Sequence, residues 1–111
     1  MDAGSLIEEH EDFDYERFLS SLTTVAAYIV AARVATILGP SGNNLAGTHW
    51  VKALGGGLFE FRVRAPEVLV RIFFTYESGR IILLLGAYDK LRDPSARRQN
   101  NEINKARTRM K

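Results

Sequence analysis

The period of the hydrophobic pattern changes near Trp50. Before it, Val25, Tyr28, Ile29, Ala32 and Ile37 recur near helical spacing, and Thr23 or Thr24 offers the hydroxyl that a helix start favours. A helix to about Leu38 is predicted, ended by Gly39-Pro40 and followed by a loop over 39–48. A shorter helix over Asp14–Ser21 precedes it and completes a helical hairpin, and Ser5–Phe13 supplies a short edge strand or an acidic leader. Leu22–Leu38 is apolar enough to raise the question of a membrane span. It is shorter than the ~20 residues a span needs, and Thr23, Thr24, Arg33 and Thr36 interrupt it, so a core helix is expected.

After Trp50 the pattern alternates. Phe59, Phe61 and Val63 point one way along a strand, while Leu58, Glu60, Arg62 and Arg64 point the other. Ala65-Pro66-Glu67 turns the chain into a second strand, Leu69–Tyr76, and Ser78-Gly79 is the core of a tight hairpin turn. Ile81–Tyr88 is apolar throughout, as a central strand covered on both faces must be. Asp93 with Pro94 behind it caps a C-terminal helix whose thin apolar stripe is Ala96, Ile103, Ala106 and Met110. Gly55-Gly56-Gly57 reads as a flexible lead into a strand, because no Lys-Ser/Thr and no helix follows to cradle phosphate.

Hairpin register brings particular residues together. A loop closed at Ala65 and Val68 sets Arg64 against Leu69 and Arg62 against Arg71. A two-residue turn at Ser78-Gly79 sets Phe74 against Leu83, Phe73 against Leu84, Arg71 against Gly86 and Leu69 against Tyr88. Arg62, Arg71 and Tyr88 then share a face, with Gly86 leaving space beside Arg71. That face also carries Phe73, Leu84 and Ile82, roofed by the C-terminal helix with the arginines left in an open basic cleft. Two opposed arginines repel. Glu60 relieves part of this, and a bound anion between them would relieve the rest. Lys90 has the parity of Tyr88.

Composition sharpens the picture. The 111 residues suit one domain, 1–111, with enough surface to bury a core unaided. There is no cysteine, which excludes disulfides and thiolate metal sites. His10 and His49 lack metal-ligand spacing, so neither metal nor cofactor is expected. The net charge of +2 conceals a split: residues 1–16 carry seven acids and no Lys or Arg, whereas residues 17–111 sum to +9 and residues 80–111 to +6. A basic body suits a polyanionic partner. The N-terminus lacks the features of a secretory signal, and a cytoplasmic location is expected.

Four segments in order, KALGGGLFEFRV, VRIFFTY, IILLLGAYDK and a polar helix with NEINKAR, closely resemble the HigB branch of the RelE/ParE toxins of bacterial toxin–antitoxin systems, over about residues 14–110. The resemblance implies an α+β fold, with an N-terminal helical hairpin packed on a mostly antiparallel sheet of three to four strands and a C-terminal helix. It implies ribosome-dependent cleavage of mRNA through the 2′-hydroxyl, without a metal, and neutralisation by a small helix-turn-helix antitoxin. Position by position, Lys52, Arg62 and Arg71 match the branch's motif, Lys90 falls in its paired-lysine region, and Tyr88, brought in by the strand register, stands where the branch commonly has Phe; these five are the candidate catalytic set, with Arg64, Arg92, Arg97 and Arg98 as candidate RNA-binding cations. The branch pairs two lysines where this chain flanks Lys90 with Asp89 and Leu91. Arg62 and Arg71 suit charge stabilisation. Tyr88 or Lys52 would serve in proton transfer if surrounding cations pulled its pKa down. A ParE-like gyrase inhibitor on the same fold, or a non-catalytic RNA- or ribosome-binding module, are the alternatives.

Overall fold

The computed structural model describes residues 4–77 and 80–110. Its elements are β1 (Leu6–Glu9), α1 (Tyr15–Ser20), α2 (Thr24–Arg33), a π-helical turn (Val34–Leu38), a helical turn α3 (Gly39–Ser41), a 3-10 turn (Gly42–Asn44), β2 (Val51–Gly55), β3 (Leu58–Ala65), β4 (Val68–Glu77), β5 (Ile81–Asp89) and α4 (Ala96–Met110). One five-stranded sheet has the order β1-β5-β4-β3-β2. All neighbours are antiparallel except β1, which lies parallel to β5 at one edge. The α+β class therefore stands, with five strands where three to four are expected.

Local chemistry sets the helical hairpin. Asp14 caps α1 by accepting from the Arg17 amide at 3.0 Å, and Thr23 caps α2 by accepting from the Ala26 amide at 3.1 Å. Gly39-Pro40 does not end the second helix as the sequence predicts. The Gly39 amide donates to the Val34 carbonyl, five residues back. This wider turn lets the helical path pass Pro40, which has no N–H to give. Ala26, Val30, Val34 and Leu38, four residues apart, form the buried stripe against the sheet. Thr24–Ser41 is long and apolar enough to cross a membrane by length and composition, but here it lays this stripe on the sheet.

Each hairpin has its own turn. Between β2 and β3, Gly55, Gly56 and Gly57 all take positive φ (91°, 63°, 88°), a conformation that glycine adopts without a Cβ penalty. The segment is a tight turn, not a flexible lead. Arg107 of α4 clamps it, donating to the carbonyls of Leu54 at 2.7 Å and Gly55 at 3.0 Å. Pro66 and Glu67 turn β3 into β4, with Glu67 in the left-handed region (φ 62°).

The β3–β4 register matches the sequence reading, with Arg62 opposite Arg71 and Arg64 opposite Leu69. The β4–β5 register does not. Phe74 pairs with Leu84, Phe73 with Gly86 and Arg71 with Tyr88, with an irregularity between Phe73 and Phe74. The predicted turn at Ser78-Gly79 lies outside the described residues. Pairing near that turn is one residue off the expected register, and the bulge adds another residue, so parity is restored by Arg71. Between the two shifts, Ile82 and Leu84 face the helical hairpin with Ile72 and Phe74, contrary to expectation. Leu83, Leu85 and Tyr88 face α4 with Leu58 and Phe73.

The roof over that second face is α4, as expected, through Ile103, Ala106 and Met110, while Ala96 is exposed. Its cap is Ser95 and not Asp93: the Ser95 hydroxyl accepts from the Arg98 amide at 3.1 Å, and Asp93 instead accepts from the Ser95 amide at 3.2 Å.

Candidate active site

Strand pairing builds two cross-strand rows on the α4 face. One row runs Lys52, Glu60, Phe73, Gly86 across β2 to β5, and the next runs Arg62, Arg71, Tyr88 across β3 to β5. Phe73 and Tyr88 stack with ring centroids 6.1 Å apart and planes 8° from parallel. The expected open space beside Arg71 is absent. Gly86 faces Phe73, and a Cβ there would lie 3.4 Å from the guanidinium of Arg109, which donates to the Leu85 carbonyl at 2.8 Å.

Glu60 fills the position between the opposed arginines. Its Oε1 accepts from Arg62 Nε at 3.1 Å and lies 3.6 Å from Arg71 Nε. The repulsion of the arginine pair is thus met by the chain's own carboxylate. The Glu60 side chain is 1% exposed, Arg71 5% and Arg62 25%. Tyr88 is 1% exposed. Four buried polar atoms in this cluster have no hydrogen-bond partner: Glu60 Oε2, Arg71 Nε, Arg71 Nη1 and the Tyr88 hydroxyl. Such atoms are rare inside folded proteins, because each keeps the cost of lost hydration.

The cleft is therefore roofed and not open. Arg98 of α4 lies over the Tyr88 ring at 5.5 Å and donates from Nε to Glu102 at 2.9 Å, and Lys105 sits 3.5 Å from the same carboxylate. Burial, and then the charge of Glu60, push the Tyr88 phenol above its ordinary pKa; Arg71 and Arg98 pull the other way without prevailing. This overturns the expectation that surrounding cations would drive the phenol toward neutrality. A phenol held this way stays protonated at neutral pH. Burial also lowers the Arg71 pKa, against the opposing pull of Glu60.

The remaining sequence candidates divide. Lys52 is exposed on the edge strand, directly opposite Glu60. Lys90 reaches α4, with Nζ 3.5 Å from Gln99 Oε1. Arg64 is exposed on the strand carrying Arg62, and its carbonyl accepts from Arg33 at 2.9 Å. Arg97 is exposed on the first turn of α4. Arg92 turns from the cluster to the helical hairpin, donating to the Ser21 carbonyl at 3.5 Å. Of the four proposed RNA-binding cations, only Arg98 joins the cluster. Trp50 packs beneath Arg33, whose guanidinium is 5.6 Å from its ring, and against Phe61. Sequence reasoning missed Glu102, Arg107 and Arg109, and gave Glu60 only a screening role. The signal for Glu60 was its shared parity with Arg62 on β3. Among the described residues, no group of three or more His, Asp or Glu could hold a metal ion.

A hairpin of helices on one face of the sheet and a roofed charged cluster on the other define a small α+β module built around an Arg–Glu–Arg–Tyr site. The family described as Phage derived protein Gp49-like (DUF891) matches residues 22–111, and the chain belongs to it. That family is a toxin-like, RelE/HigB-type module linked to toxin–antitoxin systems. No curated protein matches the chain.

Proposed function

We propose that this protein is the HigB-type toxin of a type II toxin–antitoxin pair, a cytoplasmic, metal-independent endoribonuclease that cuts mRNA on the ribosome and so inhibits translation. The observation that carries this reading is the cross-strand row Arg62–Arg71–Tyr88, in which Arg71 Nε, Arg71 Nη1 and the Tyr88 hydroxyl are buried without a hydrogen-bond partner. Forked guanidiniums suit the charge that builds on phosphorus as the 2′-oxygen attacks. A phenol kept protonated by burial suits protonation of the departing 5′-oxygen. Lys52 and Arg64, exposed beside this row, and Arg97 on α4 would meet the flanking phosphates. Because α4 roofs Arg71 and Tyr88, its first turns must lift for RNA to enter, which fits an enzyme idle until the ribosome presents its substrate. A small helix-turn-helix antitoxin is the expected neutralising partner.

The test is primer extension on cellular mRNA after induction of the protein. Cuts inside translated codons support the reading. The covered state of Arg71 and Tyr88 gives a second reading some weight: the exposed cations would serve a ParE-like gyrase inhibitor or a binding module without catalysis. Induction of the SOS response with intact mRNA would replace the first reading by the gyrase one. Salt-dependent RNA binding with neither effect would replace it by the binding module.

A further inference from the structure

The unmatched atoms under α4 are not all of one kind. Arg71 Nε and Nη1 can only donate, the Tyr88 hydroxyl donates readily, and Glu60 Oε2 can only accept. A bare phosphate would satisfy the donors and leave Glu60 Oε2 without a partner. A ribose 2′-hydroxyl beside its phosphodiester supplies both: a proton for the carboxylate and oxygens for the arginine and the phenol. Oε1 of Glu60 is already engaged by Arg62, so the free oxygen is held in a fixed direction. Glu60 belongs to the row beside that of Arg71 and Tyr88, and Glu102, the other carboxylate whose charge reaches Tyr88 among the described residues, is taken up by Arg98 and Lys105.

We propose that Glu60 is a catalytic residue, the general base that recognises the ribose 2′-hydroxyl and removes its proton; this rests on the nuclease reading above. Glu60 Oε2 takes the 2′-proton, the 2′-oxygen forms its bond to phosphorus, and the bond from phosphorus to the 5′-oxygen breaks. Tyr88 gives its phenolic proton to that oxygen. The products are a 2′,3′-cyclic phosphate and a free 5′-hydroxyl, and solvent returns a proton from Glu60 to the phenolate. Since the carboxylate accepts from a hydroxyl that DNA lacks, it also selects RNA.

A single-turnover assay on ribosomes programmed with a short synthetic mRNA tests this, with the scissile linkage carrying either the natural 5′-oxygen or a bridging 5′-sulfur, which leaves without being protonated. Glu60→Gln is expected to slow cleavage of the oxygen substrate by about 100-fold or more and to remain slow on the sulfur substrate. Tyr88→Phe is expected to be slow on oxygen and restored on sulfur, a difference that loss of packing would not produce. Glu60→Asp keeps the carboxylate and is expected to retain part of the activity; it serves as the informative variant if Glu60→Gln fails to fold. Wild-type cleavage with Glu60→Gln within threefold of it, or sulfur rescue of Glu60→Gln, overturns the base and leaves the nuclease reading standing. Absence of wild-type cleavage on programmed ribosomes overturns both.

Discussion

Opposed arginines on neighbouring strands repel, and burying one of them adds a desolvation cost. Glu60 offsets both by placing the same oxygen, Oε1, near the two Nε atoms. The three charges therefore stand or fall together. Arg71→Ala leaves a buried carboxylate with a single partner and is expected to cost about 3–5 kcal/mol, the usual penalty for breaking a buried pair. Urea unfolding checks this, and a loss below 1 kcal/mol would show that the triad is solvated. A toxicity test on Arg71 should accordingly use Arg71→Lys, which keeps the charge and removes the fork. The phenols give a second expectation. Burial raises Tyr88 and Tyr76 above the ordinary value, and burial with the Glu9 charge raises Tyr15 to about 12. A phenol raised on folding favours the protonated state, so its stabilisation is complete below the unfolded pKa of about 10. It is lost as pH rises through the folded value. Stability should hold from pH 8 to 10 and fall between pH 10 and 12, measured as the urea midpoint; a flat midpoint to pH 11.5 contradicts the buried phenols. Parity along β3 and β4 made Arg62 and Arg71 legible in the sequence. Exposure was not legible, because the roofing depends on where α4 comes to rest, which no strand pattern encodes.

Each helix meets the sheet through very few side chains. The stripe along α2 and the π turn is narrow: Leu38 is fully buried, whereas Val25 is 67% and Tyr28 75% exposed. Leu38→Ala is expected to cost ~2–5 kcal/mol and Val25→Ala under about 0.5 kcal/mol. Chemical denaturation of both variants checks the orientation, and similar costs would mean that the stripe is misassigned. The sequence pattern favoured Val25 and Tyr28 as periodic positions, since apolar spacing alone does not choose between two apolar faces of one helix. Nor could it foresee passage through Gly39-Pro40, which depends on the π turn re-registering the backbone. On the other face, Ala106 of α4 is fully buried in the contact with Leu58, Phe73, Leu85 and Tyr88 of the sheet. Ala106→Leu overpacks that contact, at ~1–3 kcal/mol, and is expected to lift α4. The Tyr88 phenol should then titrate closer to its ordinary value, read by NMR of the ring carbon bearing the hydroxyl. An unchanged titration with retained fold would show that α4 accommodates the extra volume without opening.

At the scale of the molecule, acidic and basic segments are separate in sequence and adjacent in space. Glu8 and Glu9 belong to β1, which pairs with β5, and Asp12 lines the open groove that also contains Arg98, Lys105 and Arg109 of α4. Of the N-terminal acids, Asp12 thus borders the basic helix and lowers the potential that a polyanion meets there, while Glu9 acts on Tyr15 of the helical hairpin. The N-terminal segment has a structural part as well. The Leu6 amide donates to the Arg80 carbonyl at 2.7 Å and the His10 amide to the Leu84 carbonyl at 2.9 Å, and Phe13 enters the core at the end of the same segment. Read as a sequence, the segment is equally an acidic leader or an edge strand, because charges suppress the strand signal even when backbone pairing carries the element. Deletion of residues 1–12 has two separable consequences on this account. It uncovers the edge of β5, an apolar strand open to pairing with another chain, so the melting temperature should fall and light scattering on heating should rise. It also removes Asp12 from beside α4, so RNA should bind more tightly at low salt, with the gain vanishing as salt screens the charges. An unchanged melting temperature would mean that β1 is dispensable to the sheet. A gain in affinity that persists in high salt would mean that the segment acts by blocking the groove and not through its charge.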